Sequence, residues 1–375
     1  MHSIFLDNMS TTPLDPLVIS SMNQCLNNLF GNPSSIEHKY GWEANEAIEK
    51  SRENIAKLLN CQSIELIFTS GATESINLAL LGSLLPFDIK KNHIITVKTE
   101  HEAALHVFKF LSTKGYKIDY LNPNNKGLID LNILNSKISE KTKLISIMHV
   151  NNEIGVIQPI FEIGNLCYEK DIIFHVDAAQ SIGKISCDLS KLKIDLLSFS
   201  GHKIYGPKGI GTLYINSNKN INLKPIMHGG KQENSIRPGT LSVHNIVGLG
   251  KACEIANKKI NSDFKKIISL QRRLLNILYE LPKEISFNGC LENRIPGNLN
   301  FNIDKINGKT LMMKIPNIAF SSGSACSSGL GKGSHVIKAL KKNNNDSKTA
   351  IRIGIGRFNT KKDIDIFGNE LLKLI

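Results

Sequence analysis

Residues 196–211 read LLSFSGHKIYGPKGIG, a short apolar run that reaches Phe199 and gives way to Ser200, Gly201, His202 and Lys203. That is the pattern of a strand running into a tight loop. A lone lysine in such a loop is ordinarily a solvated surface residue. Held at the carboxyl end of a sheet strand, its amine can instead form a Schiff base with an aldehyde cofactor. The neighbours favour the second reading: Ser200 and His202 offer two hydrogen-bonding groups suited to a phosphate, and Gly201 and Gly206 let a ligand approach the backbone. Such a cofactor needs an acid for its ring nitrogen. Asp177 stands 26 positions upstream, where the apolar run Ile172 to Val176 ends in IIFHVDAAQSIGK. A carboxylate there can keep a pyridinium nitrogen protonated; the other reading of Asp177 is an N-cap for the next helix. Gln180, one turn later, adds an amide within reach of a ring hydroxyl.

Five further strings carry groups of the same kind. In TSGATES, Gly71 and Ala72 precede Thr73 where a helix begins, and the unpaired N–H groups there make an anion site to which the Thr73 hydroxyl adds a donor. An ordinary capped helix is the plain alternative. His101 ends a strand in KTEHEA, a place where histidine is usually exposed or capping, and Asn152 in HVNNEIG sits in what also reads as a turn. His149, in the same string, reads as a packed core histidine. Arg352 lies inside the apolar run AIRIGIGRF; a buried arginine needs a partner, and a carboxylate bound through two hydrogen bonds is the natural one, from a ligand or from a structural ion pair. Cys326, in SSGSACSSGLGKGSH, is surrounded by Ser and Gly, the composition of an exposed loop able to move, where a thiolate can attack and then withdraw.

Composition narrows the class. The chain has 375 residues, 41% of them hydrophobic, enough for a large core and two domains. No apolar run has the length of a membrane span, and MHSIFLDNMSTTP lacks the basic and apolar segments of a secretory signal, so a cytoplasmic protein is expected. The formal charge is +13, from 46 basic and 33 acidic residues. Its lysines are scattered and no RNA-binding signature accompanies them. A generally basic surface that attracts an acidic protein is therefore preferred to direct nucleic-acid binding. Seven cysteines, odd in number and without a CxxC spacing, argue for reduced thiols rather than a disulfide framework or a zinc site.

Strand and helix signals alternate along the chain. Strands are expected at Leu66 to Phe68, His93 to Val97, Lys117 to Leu121, Leu144 to Val150, Ile172 to Val176, Leu196 to Phe199 and Leu213 to Ile215. Helices lie between several of them, such as Ile160 to Tyr168. The alternation implies an α/β fold with a mostly parallel sheet and helices on both faces, and ligands in such sheets bind at the carboxyl ends of strands. The polar strings above that follow these strands fall at such ends. From about Ile260 the pattern changes: an amphipathic helix through Phe264, Leu274 and Leu278 stops before Pro282, and short strands follow at Asn300 to Ile303 and Ile318 to Phe320. The expected division is a large domain, 15–258, and a smaller α+β domain made of 1–14 and 259–375.

Taken together, these strings resemble the cysteine desulfurases of the IscS/NifS type, pyridoxal 5'-phosphate enzymes of the fold type I (class V) aminotransferases. The resemblance runs from LDNMSTTPLDP to RIGIGRFNT, nearly the whole chain. It implies Lys203 as the Schiff-base lysine, Asp177 and Gln180 on the cofactor ring, and a phosphate cup of Ala72, Thr73, Ser200 and His202. It further implies His101 stacked on the ring and moving protons, Asn152 and Arg352 on the substrate, and Cys326 as the nucleophile that takes sulfur from L-cysteine and releases alanine. Thr240, in HGGKQENSIRPGT, would reach the cofactor phosphate of the other subunit of a homodimer. The sulfur would pass to an acidic acceptor, an iron–sulfur scaffold or a tRNA-thiolation enzyme. Two departures stand out: Asn234 and Ser235 follow Glu233 where the family often has an arginine, and the chain ends soon after GRFNTKKDID, where housekeeping members carry a longer tail. Selenocysteine lyase, another pyridoxal-phosphate amino-acid enzyme, or a low-activity sulfur-relay paralogue are the alternatives.

Overall fold

The computed structural model describes residues 3–321, 333–340 and 346–375. In chain order its first half contains β1 (Ile4–Phe5), α1 (Pro16–Asn28), α2 (Lys39–Leu59), β2 (Leu66–Thr69), α3 (Ala72–Leu84), β3 (His93–Val97), α4 (Glu102–Thr113), β4 (Lys117–Leu121), α5 (Leu131–Lys137) and β5 (Thr142–Ser146). Then come α6 (Ile160–Glu169), β6 (Ile173–Asp177), β7 (Leu196–Ser200), β8 (Gly211–Ile215) and α7 (Val243–Tyr279). The remainder is β9 (Ile285–Phe287), β10 (Asn298–Ile303), α8 (Gly308–Lys314), β11 (Ile318–Ala319), α9 (His335–Ala339), α10 (Asp346–Thr349), β12 (Ile351–Gly354) and α11 (Lys361–Leu374). Among the described residues no helix is long and apolar enough to cross a membrane.

Seven strands form one sheet in the order β2-β8-β7-β6-β5-β3-β4. Only β8 runs against its neighbours, β2 and β7. The other six therefore point the same way and deliver their carboxyl ends to a single edge. Both faces are covered, as the near-continuous apolar strands require. Phe68, Ile95, Val97, Ile145, Phe174, Val176 and Phe199 pack into a cluster with α1, α2 and the start of α7. Alternate residues such as Ile94 and Leu144 join α3 and α4 on the other face, and Ile67, Leu196 and Leu213 form a further cluster with Leu78 and Ala79 of α3. On that face β5, β6 and β7 also share a polar rung: His175 is fully buried between the hydroxyls of Ser146 (2.8 Å) and Ser198 (3.0 Å). Burial pushes its imidazole down to about 3, so the ring is neutral.

The expected strand to Val150 is shorter as a ladder, since β5 closes at Ser146. Beyond it the N–H groups of Ile147 and His149 still donate to the carbonyls of His175 and Asp177. The edge of β2 away from β8 is covered by side chains instead of a strand. Arg52 donates to Leu66 O (2.7 Å), Phe68 N donates to Glu233 (2.6 Å), and Arg52 and Glu233 pair at 2.8 Å. A carboxylate and a guanidinium thus take the places of a neighbouring backbone, which protects an edge that would otherwise invite pairing. Glu233, Asn234 and Ser235 reach that position through three successive left-handed residues, with φ of 45°, 56° and 62°.

The expected helix beyond residue 260 begins earlier, at Val243, and runs unbroken for 37 residues. Ile246, Leu249, Ala252 and Cys253 of its first half belong to the cluster under the large sheet. Leu270, Leu274 and Leu278 of its second half belong to a separate cluster with β10, β12 and α11. The antiparallel sheet β12-β10-β9 turns Leu299, Phe301 and Ile303 into that second cluster. Its other face carries Asn298, Asn300 and Asn302, also buried, and Asn300 donates to Glu153 O of the 151–155 loop (3.1 Å). The N-terminal segment closes the seam: β1 pairs with β11, Asn8 donates to Gly354 O, and Asp15 takes a hydrogen bond from Arg357 (2.9 Å).

Candidate active site

One cavity of about 540 Å³ opens at the carboxyl edge of the large sheet. Met9, Ser10, Thr11, Ala72, Thr73, His101, Asn152, Asp177, Gln180, Ser200, His202, Lys203 and Arg352 all line it, drawn from segments scattered over the whole chain. Of the expected site residues that the structure describes, only one stands elsewhere. Thr240 is exposed and outside the lining, and Cys326 lies outside the described residues.

Each group is placed by the end of an element. Asp177 is the last residue of β6, 5% exposed, and one of its oxygens accepts from Ala179 N (2.9 Å). The plain reading, an N-cap for a following helix, does not hold: turns rather than a helix lie between β6 and β7, so this contact closes a turn while the carboxyl faces the cavity. Burial raises its pKa, against the pull of His101 and Lys203. His101 does two things at once: it caps α4 by accepting from Ala103 N at Nδ1 (3.1 Å) while lining the cavity. Because Nδ1 accepts, a neutral ring carries its proton on Nε2.

On the opposite side, α3 starts at Gly71 with no side chain capping it, which leaves the first N–H groups of Ala72 and Thr73 turned to the cavity edge. Gly211 makes this possible: a Cβ there would stand 2.6 Å from the Gly71 backbone. Ser200 and His202 flank that helix start. His202 bonds to Thr11 Oγ1 (3.0 Å), and burial, then Lys203, Lys208 and Lys184, push it down to about 4, so the ring is neutral at pH 7.

Lys203 follows β7 in a short turn, and its Nζ donates to Met9 O (2.8 Å) and Ser10 O (2.5 Å). Arg352, 1% exposed, donates to Asn152 O (3.0 Å), Asp7 Oδ1 (2.8 Å) and Ser10 Oγ (2.7 Å). So the arginine does have a carboxylate within the chain, and still reaches the cavity. The N-terminal segment was not foreseen as a wall of the site. Its only local sign is a run of short polar residues after β1. Glu100 was also missed: it is buried, one oxygen accepts from Met148 N (2.8 Å), and burial holds its pKa well above the usual carboxylate range. His149 is the packed histidine expected, lowered to about 4 by burial. Where the described chain resumes, Ser334 donates to Glu153 (2.5 Å) and His335 to Glu100 O (3.0 Å), which ties α9 to the loop carrying Asn152.

An amine, a buried carboxyl and an uncapped helix start, converging at the strand ends of a parallel sheet, are matched by comparison with known proteins. The family model described as Aminotransferase class-V covers residues 4–367. Cysteine desulfurase IscS of Ruthia magnifica is 48% identical over 363 residues, 96% of this chain and 90% of that protein. A solved NifS-like protein superposes with a TM-score of 0.92 at 36% identity, covering 99% of each chain. The NifS-like protein from Rickettsia africae gives 0.88 at 30% identity, over 100% of this chain and 99% of the other. This chain belongs to the IscS/NifS-like cysteine desulfurases. These cysteine desulfurases are class V aminotransferases and depend on pyridoxal 5'-phosphate.

The cavity suits that group on its own terms. Asp177 is buried and accepts one hydrogen bond from the chain, so a donor or a positive charge in front of it would stabilise its ionised form, and a protonated ring nitrogen is both. The uncapped amides at the start of α3 suit a phosphate in the same way.

Proposed function

We propose that the chain removes sulfur from L-cysteine, with the residues of this one cavity dividing the work. What carries the reading is the convergence of Lys203, Asp177 and Arg352 on one cavity. Pyridoxal 5'-phosphate, when bound, supplies an electron sink for the substrate's α-carbon. Asp177 holds a proton at the ring nitrogen, and the Ala72 and Thr73 amides, Ser200 and His202 take the phosphate at the start of α3. Gln180 meets the ring hydroxyl. Arg352 and Asn152 hold the α-carboxylate of cysteine, so that Lys203 Nζ stands to remove the α-proton. His101 moves a proton at Nε2, facing the cavity. The Cys326 thiolate attacks the substrate sulfur: the S–S bond forms as the Cβ–S bond breaks, leaving a persulfide on Cys326 and, after proton return, alanine.

The same reading extends to assembly. The division into 15–258 and 1–14 with 259–375 is supported by the two separate apolar clusters, although α7 runs straight through residue 258. A homodimer is supported by the exposed Phe30, Ile36, Tyr40 and Trp42, and by exposed Thr240, open to serve a second copy's site. The solved protein SspA in complex with cysteine, 36% identical at a TM-score of 0.84 over 96% of this chain and 100% of its own, supports cysteine as substrate. We place the enzyme in the cytoplasm, handing sulfur to an acidic acceptor of the iron–sulfur scaffold or tRNA-thiolation kind, without binding nucleic acid itself.

The test is the visible absorption of the purified protein with pyridoxal 5'-phosphate, together with alanine and sulfide release from L-cysteine under reducing conditions. Wild type should show the lysine-bound cofactor and turn over, and Cys326→Ala should keep the absorption and lose turnover. Equal turnover in the two proteins would remove Cys326 from the mechanism.

A further inference from the structure

Gln180 is 3% exposed and lines the cavity, and both ends of its amide are committed. Nε2 donates to Met9 O (2.9 Å), the same carbonyl that accepts from Lys203 Nζ (2.8 Å). Oε1 accepts from Lys184 Nζ at 3.0 Å. In its charged form Lys184 has no lone pair to offer, so the amide atom facing it is then the oxygen, and the NH2 group is left for the side of Met9 and Lys203. Lys184 itself is not part of the cavity lining and lies four residues past Gln180 in the turns after β6.

The contact also brings a second positive charge close to Lys203. Lys184 feels the charges of Lys203 and Arg352, and His202 feels both lysines along with Lys208. On the other side, Lys203 faces Asp177, whose carboxyl also meets the fields of His101 and Glu100. Burial first, and then Lys203 and Arg352, push Lys184 down to about 7. Its charge therefore changes within the range where an amino-acid enzyme works.

We propose that Lys184 is a positioning residue for the cofactor site, fixing the Gln180 amide with its NH2 group toward the cavity and opposing protonation of the nitrogen of Lys203. This rests on Lys203 being the lysine that binds pyridoxal 5'-phosphate. It assigns work to a side chain that touches neither the substrate nor the cofactor.

The experiment compares Lys184→Met, Lys184→Gln, Lys184→Arg, Gln180→Ala and the double variant Lys184→Met/Gln180→Ala, each loaded with pyridoxal 5'-phosphate. Two readouts are taken: the pH midpoint of the visible absorption of the lysine-bound cofactor, and the dissociation constant of the cofactor. In Lys184→Met and Lys184→Gln the midpoint should rise by about half a unit or more, because a like charge near Lys203 has gone. In Lys184→Met the dissociation constant should rise about fivefold, the worth of one oriented hydrogen bond. Lys184→Arg should restore both, and the double variant should bind the cofactor no worse than Gln180→Ala, since the two residues act as one unit. A midpoint and dissociation constant unchanged in Lys184→Met would overturn the inference, as would Lys184→Arg behaving like Lys184→Met. If wild type itself showed no lysine-bound absorption, the proposed function would fall together with it, whereas a normal wild-type band indifferent to Lys184 removes the inference alone.

Discussion

The cavity has two walls built in different ways. One is the carboxyl edge of the large sheet, where Asp177, Ser200 and His101 each stand at or a few residues beyond the end of an apolar strand. The other is the N-terminal segment with Arg352, residues about as far apart in sequence as the chain allows, joined by the pair Arg352–Asp7 and by the Ser10 hydroxyl. In the first wall a packed sheet sets the geometry, and polar contacts such as that of Lys184 with Gln180 only adjust it. In the second wall the hydrogen bonds among polar groups are themselves the scaffold. Substitutions in the first should therefore strike the chemistry, and those in the second should strike substrate affinity and stability together.

The sharpest contrast comes from Lys203→Ala. It should abolish the lysine-bound absorption and lower turnover by about a thousandfold or more, with a melting temperature close to wild type in the absence of cofactor. Asp177→Asn should come next, with kcat down about a hundredfold and KM for cysteine changed little, because it removes charge stabilisation rather than binding. Steady-state kinetics read this directly.

Asp7→Asn tests the second wall. It leaves the buried Arg352 guanidinium with a carbonyl and a hydroxyl but no carboxylate, so stability should fall by about 2 kcal/mol and KM should rise more than kcat falls. Should it lower kcat as far as Asp177→Asn does, with unchanged melting, the two walls would not differ in the way described. The smallest effect concerns His175. Its folded-state pKa, about 3, lies below that of an unfolded histidine, so the unfolded chain binds the extra proton and His175 makes stability fall as pH drops below about 6.5. Buried Glu100, raised by burial, acts in the opposite direction, so the readout is a difference. His175→Gln should cost about 1 kcal/mol at pH 7 and flatten the slope of melting temperature against pH between about 5 and 6.5. An unchanged slope would show that the ring is not held neutral.

The same two walls explain what could be read in the sequence. Strand-end residues announce themselves locally: an apolar run stops and a polar residue follows, as at Asp177, Ser200 and His101. Lys203 and Asp177 could therefore be matched to one another before any fold was known. Arg352 was legible as a buried arginine, but its partner was not, because nothing near Asp7 in the sequence marks it as a neighbour of residue 352. The cover over the β2 edge by Arg52 and Glu233 was hidden for the same reason. Glu100, sitting between Thr99 and His101, reads as an ordinary polar loop residue until the chain folds over it. The early start of α7 was missed because its first turns are apolar on the side that packs under the large sheet, a pattern that blends with the loop before it.

That helix has a consequence for cooperativity. Its first half is part of the wall of one apolar cluster and its second half part of the wall of another, with no break between them. Melting either cluster would strip a side from α7 and expose the apolar stripe that the other still needs. The two halves of the molecule are thus thermodynamically linked through a single rod about 55 Å long, and heat should unfold them in one transition instead of two.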